Sequence, residues 1–453
     1  MIDAAAMLLV ANALFLVAGI GVRRLLGSTH GSGGPSSVAL TYLVGVASFG
    51  VLAQLLLVVG LSLTRAEAVA VGLVLFAVGL LRRPRPAPRP TSPRLSGRET
   101  LLMLIAGALV VALAVRSLYE PLTSWDAWAF WIPKAKSIVL LNGLDSDFFA
   151  APTTANADYP LLLPAVEAAD FRFIGHFDTQ IIHLQFWLIL VGFLGALPAL
   201  LRDQVRAMLL RSAVVVLASV PSLALHAESA YADVPLAVFV ALAGVLGWRW
   251  LLLRDRVALS LLVVFAAAAM ATKVEGRLFV AALVASLAVL AARDSFRRSA
   301  EVLGAGVAAA LVGVLPWALW VHVNHVHGAY HADFAGLGRH AGRIAPAAAS
   351  LLGHGLDPLE WLVVVPASAA ALLLAYRSGT DRRTAWLVIS SVLTCFGLLV
   401  ATYWATPYVF EWHLRTSADR VVIAPLLLLA ALTPVVLESV LRAAESGRTG
   451  AVT

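Results

Sequence analysis

Long apolar runs recur along the whole chain and constrain its fold more than any other feature. Of the 453 residues, 60% are hydrophobic and only 13% are charged, which leaves little sequence for a soluble domain. Because a membrane-spanning helix needs about 20 apolar residues, we predict an all-α polytopic membrane protein with about 13 transmembrane helices, in a range of about 11 to 13. The runs lie at about residues 3–22, 38–61, 66–81, 100–118, 181–201, 207–226, 234–253, 257–272, 277–292, 303–322, 359–376, 384–403 and 421–441.

Basic residues fall on alternate connections between these runs. Of the 33 lysines and arginines, 22 are arginines at positions 23–24, 82–98, 202–211, 249–256, 293–298, 377–383 and 442–448. Since cytoplasmic loops retain Lys and Arg, we predict that this side is cytoplasmic, with the N-terminus outside and the C-terminus inside. The expected location is a bacterial-type inner (cell) membrane, crossed many times. The net charge of +7 then reflects topology, and no nucleic-acid partner is expected.

An arginine- and proline-rich segment divides the chain. Residues 82–99 lack apolar periodicity, which predicts a flexible cytoplasmic linker. It separates three leading transmembrane helices, residues 1–81, from a larger membrane domain at 100–441 and a cytoplasmic tail at 442–453. The chain start lacks the basic segment of a signal peptide, so the first run is expected to remain as a span. The single cysteine, Cys395, excludes a disulfide framework and a thiolate metal site.

The predicted outer side differs from the cytoplasmic side in composition. Two of its connections are long, at about 119–180 and 323–358, and the outer side carries many carboxylates, most of the histidines and all three lysines. Loops of this length in a compact protein are usually functional, so we expect the chemistry on this face.

The first outer loop carries a carboxylate between tryptophans. Trp125, Trp128 and Trp131 recur every three residues, as in an interfacial helix, and Thr123 to Asp126 fits a helix capping box. A carboxylate at the membrane surface, walled by indole rings, also suits a general base for an acceptor hydroxyl. We predict Asp126 as that base. Trp125 and Lys134 are predicted to bind substrate.

Other polar groups of the outer side have two interpretations each. Asp158 and Tyr159 precede prolines, as in a rigid turn or a binding element. Asp145 and Asp147 form a short DxD that resembles a cation site, although solvated loop acids explain it better. A histidine-rich stretch, 322–333, contains four of the 11 histidines and ends on Asp333, but its spacing matches no regular zinc site, and we expect it to line the site.

The remaining predicted binding residues stand at helix ends. Glu228, Tyr231 and Asp233 crowd one short connection, where Asp233 could equally cap the next helix. Lys273 and Glu275 could anchor a helix at the interface. Lysine is scarce in this chain, however, and the other two lysines both lie in the first outer loop, which singles out Lys273 as a candidate for substrate binding. Arg420 suits a lipid-linked phosphate, because guanidinium matches phosphate oxygens bidentately; an interfacial contact with lipid headgroups is the alternative.

Together these motifs resemble the GT-C class of integral membrane glycosyltransferases, nearest to the protein mannosyltransferase and aminoarabinose transferase superfamily. The resemblance covers about residues 110 to 430. Its first motif, Trp-Asp-Ala-Trp, lacks the second acid of the Asp-Glu form that some members carry. The motifs are Trp125-Asp126 after a span, Tyr159-Pro160 with Pro164, Tyr231 to Phe239, Lys273 to Gly276, and Arg420 before an apolar helix that contains Pro425.

This resemblance implies transfer of a sugar from a polyprenyl-phosphate donor on the extracytoplasmic side, with inversion. It implies Asp126 as the base, Lys273 and Arg420 at the donor phosphate, and Asp233 and Glu228 near the acceptor or the sugar hydroxyls. No cofactor is required by this scheme, and a divalent metal stays open. The acceptor also stays open between a lipid, a glycan and a protein.

Two other functional classes bear on the same sequence. The number of spans also fits a polytopic transporter or lipid flippase for a cell-envelope lipid, although such proteins usually place ionisable residues near the membrane midplane. An intramembrane protease would need a motif such as HExxH or GxSxG, and neither is present.

Overall fold

A computed structural model describes residues 2–28, 34–83, 96–328, 330, 332–334 and 336–450. Residues 447–450 are described by their backbone alone. All regular structure in these residues is helical. The first ten α-helices are α1 (Ile2–Leu26), α2 (Pro35–Val58), α3 (Arg65–Leu80), α4 (Gly97–Tyr119), α5 (Ile132–Leu141), α6 (Ser146–Ala150), α7 (Leu162–Ile174), α8 (His183–Leu201), α9 (Ala207–Ser219) and α10 (Pro221–Glu228). The others are α11 (Asp233–Leu253), α12 (Arg256–Thr272), α13 (Val274–Ala292), α14 (Phe296–Gly313), α15 (Leu315–Val323), α16 (Ile344–Leu356), α17 (Pro358–Trp361), α18 (Val364–Ser378), α19 (Arg382–Trp404), α20 (Phe410–Val421) and α21 (Ile423–Gly450).

Every one of the thirteen apolar runs coincides with one helix or with two consecutive helices. Within the described residues, nine helical segments are long and apolar enough to cross a membrane. A tenth is obtained if α9 and α10, which are bent by 56° at the break between them, count as one span. Three other apolar helices, α3, α12 and α18, have 16, 17 and 15 residues. The chain is therefore an all-helical, polytopic membrane protein.

The arginine-bearing connections meet at one end of the helix bundle. Arg249, near the end of α11, binds Asp203 through two nitrogens at 2.8 and 2.9 Å. Arg206 binds Glu438 of α21 at 2.9 Å. Asp233, at the start of α11, precedes Arg249 by 16 positions, which is roughly 24 Å along a helix. The polar groups around Asp233 therefore lie at the opposite end of the bundle.

The three leading helices pack closely with one another and with the rest of the protein. At the crossing of α1 and α2, a Cβ on Gly45 would lie 1.7 Å from the carbonyl oxygen of Phe15, so only glycine permits this approach. Gln54 of α2 accepts a hydrogen bond from the Leu161 amide at 2.9 Å and donates one to the Gly313 carbonyl at 3.2 Å. The leading helices thus help to hold the loop before α7.

Helical structure extends into both the predicted linker and the predicted tail. Ser96 and Glu99 form a reciprocal capping box, so α4 begins at Gly97 and residues 97–99 of the predicted linker are helical. Residues 84–95 lie outside the described residues. Helix α21 continues to Gly450, so the described part of the predicted tail is also helical, and residues 451–453 lie outside the described residues.

Candidate functional site

The first outer loop folds into short helices that direct Asp126 inward. A π-helix, Ala127–Trp131, follows Asp126 and leads directly into α5. Such wide turns are frequent at functional sites, because they re-aim side chains on either side. The predicted capping box does not form, since Thr123 Oγ1 donates instead to the Pro121 carbonyl at 3.5 Å. The Asp126 carboxylate contacts the guanidinium of Arg420.

Five buried or largely buried charges form a continuous row of alternating sign. We call Asp126, Arg420, Asp233, Lys273 and Glu275 the ionic row. Arg420 contacts Asp126 through Nη1, and the same nitrogen lies 3.8 Å from Asp233 Oδ2. Lys273 Nζ donates to Asp233 Oδ1 at 2.7 Å and lies 3.3 Å from Glu275 Oε1. The ionic row therefore joins α20, the start of α11 and the junction of α12 and α13.

The row keeps its cations charged despite burial. Burial alone lowers the pKa of Lys273, but the neighbouring carboxylates of Asp233 and Glu275 outweigh it, and the pKa lies above the ordinary value for lysine. The ring of Tyr231 stacks on Arg420, with the guanidinium carbon 4.7 Å from the ring centre. This cation–π contact fixes the plane of the guanidinium without neutralising it.

A cavity of about 580 Å³ lies above the ionic row. Asp126, Lys273, Glu275 and Arg420 form its charged part, and aromatic rings form most of the remaining wall. The volume is in the range of small-molecule sites, about 300–1,000 Å³. The aromatic and imidazole rings that line it are Trp125, Phe130, Tyr159, Tyr231, Tyr403, Tyr408, Trp412 and His413.

Helix α20 supplies one wall of this cavity. Arg420 was predicted just before the last apolar helix, but it belongs to a helix of its own, which also contains residues 413–419. His413, Thr416, Ser417 and Arg420 are spaced three and four residues apart, so they share the helix face that lines the cavity. Arg415 falls on another face and is exposed.

Lys134 does not line the cavity, contrary to its predicted role in substrate binding. Its side chain is fully buried, and Nζ donates to the backbone carbonyls of Asn156 and Tyr159. Burial lowers the pKa of Lys134 to about 7, although Asp158 opposes the shift. Because Asn156 and Tyr159 both line the cavity, Lys134 fastens the loop that forms this part of the wall.

Three other predicted binding residues also lie outside the cavity lining. Glu228 pairs with Arg116 at 2.8 Å, on a different side of α20. Asp158 is held beside α15, where its backbone carbonyl accepts a hydrogen bond from Trp317 Nε1 at 2.7 Å. Asp233 is almost fully buried beneath the cavity and reaches it through Lys273 and Arg420. It makes no side-chain cap on α11, so its carboxylate serves the ionic row.

Sequence reasoning missed Arg277, a third cation beside the ionic row. It is half-buried and lies within electrostatic range of Asp158 and Glu275. The signal was its position one helical turn after Lys273, which places both side chains near the same end of α13. It also missed Glu167 and Asp170 on α7, which are completely buried although they belong to the predicted loop.

The side chains that resemble metal ligands in the sequence have other hydrogen-bond and ion-pair partners. Asp145 caps α6, where it accepts a hydrogen bond from the Phe148 amide at 2.7 Å. Asp333 accepts one from the Gly336 amide at 2.8 Å and lies 3.4 Å from His340 Nε2, while His331 lies outside the described residues. In the described part of the chain, no three His, Cys, Asp or Glu side chains converge on a position that would hold a metal ion.

No protein-family model matches this sequence, and neither curated proteins nor solved structures match it. The geometry of the cavity and the ionic row is therefore the basis for a functional interpretation.

Proposed function

We propose that the protein is a GT-C-type membrane glycosyltransferase that transfers a sugar from a polyprenyl-phosphate donor to an acceptor hydroxyl on the extracytoplasmic face. The observation that carries this proposal is the composition of one cavity. Two carboxylates, two buried or largely buried cations and a wall of aromatic rings meet at the end of the bundle opposite the arginine-rich connections. Aromatic faces suit sugar rings, and the cations suit the donor phosphate.

In the proposed reaction, Asp126 accepts the proton of the acceptor hydroxyl while that oxygen forms a bond to the anomeric carbon. The bond from this carbon to the donor phosphate oxygen breaks on the opposite face of the sugar, and its electron pair leaves with the phosphate. The anomeric configuration inverts. The products are the glycosylated acceptor, polyprenyl phosphate and a protonated Asp126.

The cations of the site can stabilise the negative charge that develops on the departing phosphate in this step. The donor phosphodiester carries one negative charge, and the departing polyprenyl phosphate gains a second. Lys273 and Arg420 would stabilise that second charge, since screening by water is weak in a partly buried site. The ionic row contains three carboxylates and two cations, and Arg277, within electrostatic range of Asp158 and Glu275, adds a third cation beside it.

The topology belongs to the same proposal. We infer that the shorter apolar helices α3, α12 and α18 cross the bilayer together with the longer ones, which gives about 13 spans. The positive-inside rule then places the arginine-rich end in the cytoplasm and the cavity outside, in a bacterial-type cell membrane.

One observation favours the rival function of a transporter or lipid flippase. Glu167 and Asp170 are fully buried on α7, where it packs against α1, α2 and α5. Burial raises the pKa of both carboxyls well above the ordinary range. Ionisable side chains inside a helix bundle are typical of proton-coupled transporters. If the protein moves a substrate with protons, then Glu167→Gln and Asp170→Asn abolish its activity and Asp126→Asn does not.

The proposal is tested by binding of undecaprenyl phosphate in nanodiscs, followed by quenching of tryptophan fluorescence, because Trp125 and Trp412 line the cavity. Undecaprenol, which lacks the phosphate, is the matched ligand. We expect the phosphate lipid to bind more tightly, and Lys273→Met to remove that preference while Lys136→Met preserves it. Equal binding of the two lipids by the unmodified protein would rule out a polyprenyl-phosphate donor.

A further inference from the structure

A second cavity of about 340 Å³ lies on the other side of α20. Adjacent residues of that helix face the two cavities: Arg420 lines the first and Asp419 lines the second. We call the second one the side cavity. The residues that line it include Arg116, Ser222, His226, Leu359, Glu360 and Asp419.

The polar lining of the side cavity is built from paired groups. His226 Nδ1 donates to the Ser222 carbonyl at 2.8 Å, and its Nε2 lies 3.6 Å from Asp419 Oδ2. Glu360 Oε1 binds His354 Nδ1 at 2.7 Å. Among the described residues, Ser222 Oγ and Glu360 Oε2 are buried without a hydrogen-bond partner, and Ser222 is only 3% exposed. A buried polar atom without a partner costs free energy unless a ligand or water satisfies it.

The charges of the side cavity indicate which kind of polar group it can bind. Its one arginine, Arg116, is already paired with Glu228 at 2.8 Å, while Asp419 and Glu360 add two carboxylates to the lining. A phosphate would meet more negative than positive charge here. A neutral head with several hydroxyls fits, because hydroxyls donate to carboxylates and accept from the Ser222 hydroxyl.

The rim of the side cavity is apolar and borders the membrane. Leu225 is 58% exposed and Leu359 is 81% exposed. The neighbouring helix α4 faces outward, since only 17% of its 18-residue apolar stretch is buried within the protein. A ligand with a polar head in the side cavity would therefore extend an aliphatic chain over these leucines into the lipid.

We propose that the side cavity binds the neutral, polyhydroxylated head of a glycolipid, and that this glycolipid is the acceptor. The second part rests on the proposed transferase function. The two cavities share α20 as a wall, and His226 lies within electrostatic range of Asp233 in the ionic row. To bring a hydroxyl from the side cavity to Asp126, the head must contain more than one sugar, so the proposed acceptor is a lipid-borne saccharide.

The test uses an alkyl maltoside with a photoreactive diazirine in its chain, added to the full-length protein in phosphatidylcholine nanodiscs. We expect the label on peptides of α10 and α17, and we expect dodecyl maltoside to suppress it. Dodecyl phosphate, with the same chain and an anionic phosphate head, should not suppress it. If it protects equally, the side cavity is only a crevice for bulk lipid and the proposal is wrong.

Variants sharpen the same experiment. Ser222→Ala and Glu360→Gln should each weaken maltoside protection about 2- to 10-fold, the loss expected for one hydrogen bond. Glu411→Gln, an exposed carboxylate on α20, is the matched control and should leave protection unchanged. Unchanged protection in both test variants would overturn the site. Labelling requires neither donor nor turnover, so it tests the glycolipid site independently of the transferase proposal. If the protein is labelled but transfers no sugar, the transferase proposal is wrong and the proposed glycolipid site is retained.

Discussion

Replacing Asp126 by Asn should have opposite effects on catalysis and on donor binding. The amide keeps the shape of the side chain but cannot accept a proton as a base, so turnover should fall by about 10²- to 10⁴-fold, the usual contribution of general base catalysis. The amide also cannot hold Arg420 as an ion pair, which frees the guanidinium for a phosphate.

The gain in donor binding can be estimated from the contacts of Arg420. One ion pair at about 4 Å in a partly buried site is worth about 4 kcal/mol before desolvation is subtracted. Asp233 remains 3.8 Å from the same nitrogen and still holds part of the charge. We therefore expect about 1.4 kcal/mol of the released interaction to appear as affinity, which is about tenfold tighter binding of undecaprenyl phosphate.

Both quantities are measurable on one preparation in nanodiscs. Binding is followed by tryptophan fluorescence, and turnover by mass spectrometry of the undecaprenyl phosphate released from a panel of undecaprenyl-phosphate-linked sugars, with a membrane extract as acceptor. Asp147→Asn is the control, because this carboxylate is exposed in the same loop. Retained turnover in Asp126→Asn would exclude Asp126 as the base, and weaker lipid binding would contradict the competition for Arg420.

Three further predictions concern the buried charges. The pKa of Lys134 is lowered to about 7, so the free energy of unfolding should rise with pH between about 7 and 10.5, and Lys134→Met should flatten this rise in thermal unfolding. Lys273→Met leaves Asp233 buried beside a weaker partner and should cost about 3 kcal/mol in an unfolding titration, whereas adding Asp233→Asn should restore part of it; equal stability of both variants would contradict this. The raised pKa of Glu167 means that stability falls as the pH rises above about 4.5, and Glu167→Gln should reduce the fall in melting temperature between pH 5 and pH 8.

The helical architecture could be predicted because the bilayer leaves few alternatives. Backbone N–H and C=O groups inside lipid must find hydrogen-bond partners within the protein, so each long apolar run becomes helical. The sequence does not show how a run is divided. Pro221 divides the run 207–226 into two helices, α9 and α10, which are bent by 56°. The bend places His226 at the edge of the side cavity.

The site could be predicted in part for a similar reason. Asp126, Lys273 and Arg420 could be identified as site residues because each stands where an apolar run meets the predicted outer face of the membrane. Their contacts could not be predicted, since Asp126 and Arg420 are 294 positions apart and meet only through helix packing. For the same reason the sequence could not distinguish Lys134, which holds backbone carbonyls, from Lys273, which lines the cavity.

The pairing of Asp126 with Arg420 sets an order of events in the proposed reaction. Without a donor, the guanidinium of Arg420 holds the Asp126 carboxylate in an ion pair. A donor phosphate that binds Arg420 replaces part of this interaction, so the carboxylate oxygens are released toward the acceptor hydroxyl only when there is a sugar to transfer. An acceptor or a water molecule that enters first meets a restrained base. The ionic row thereby couples activation of the acceptor to occupancy by the donor, and the tighter lipid binding expected of Asp126→Asn is the equilibrium measure of that coupling.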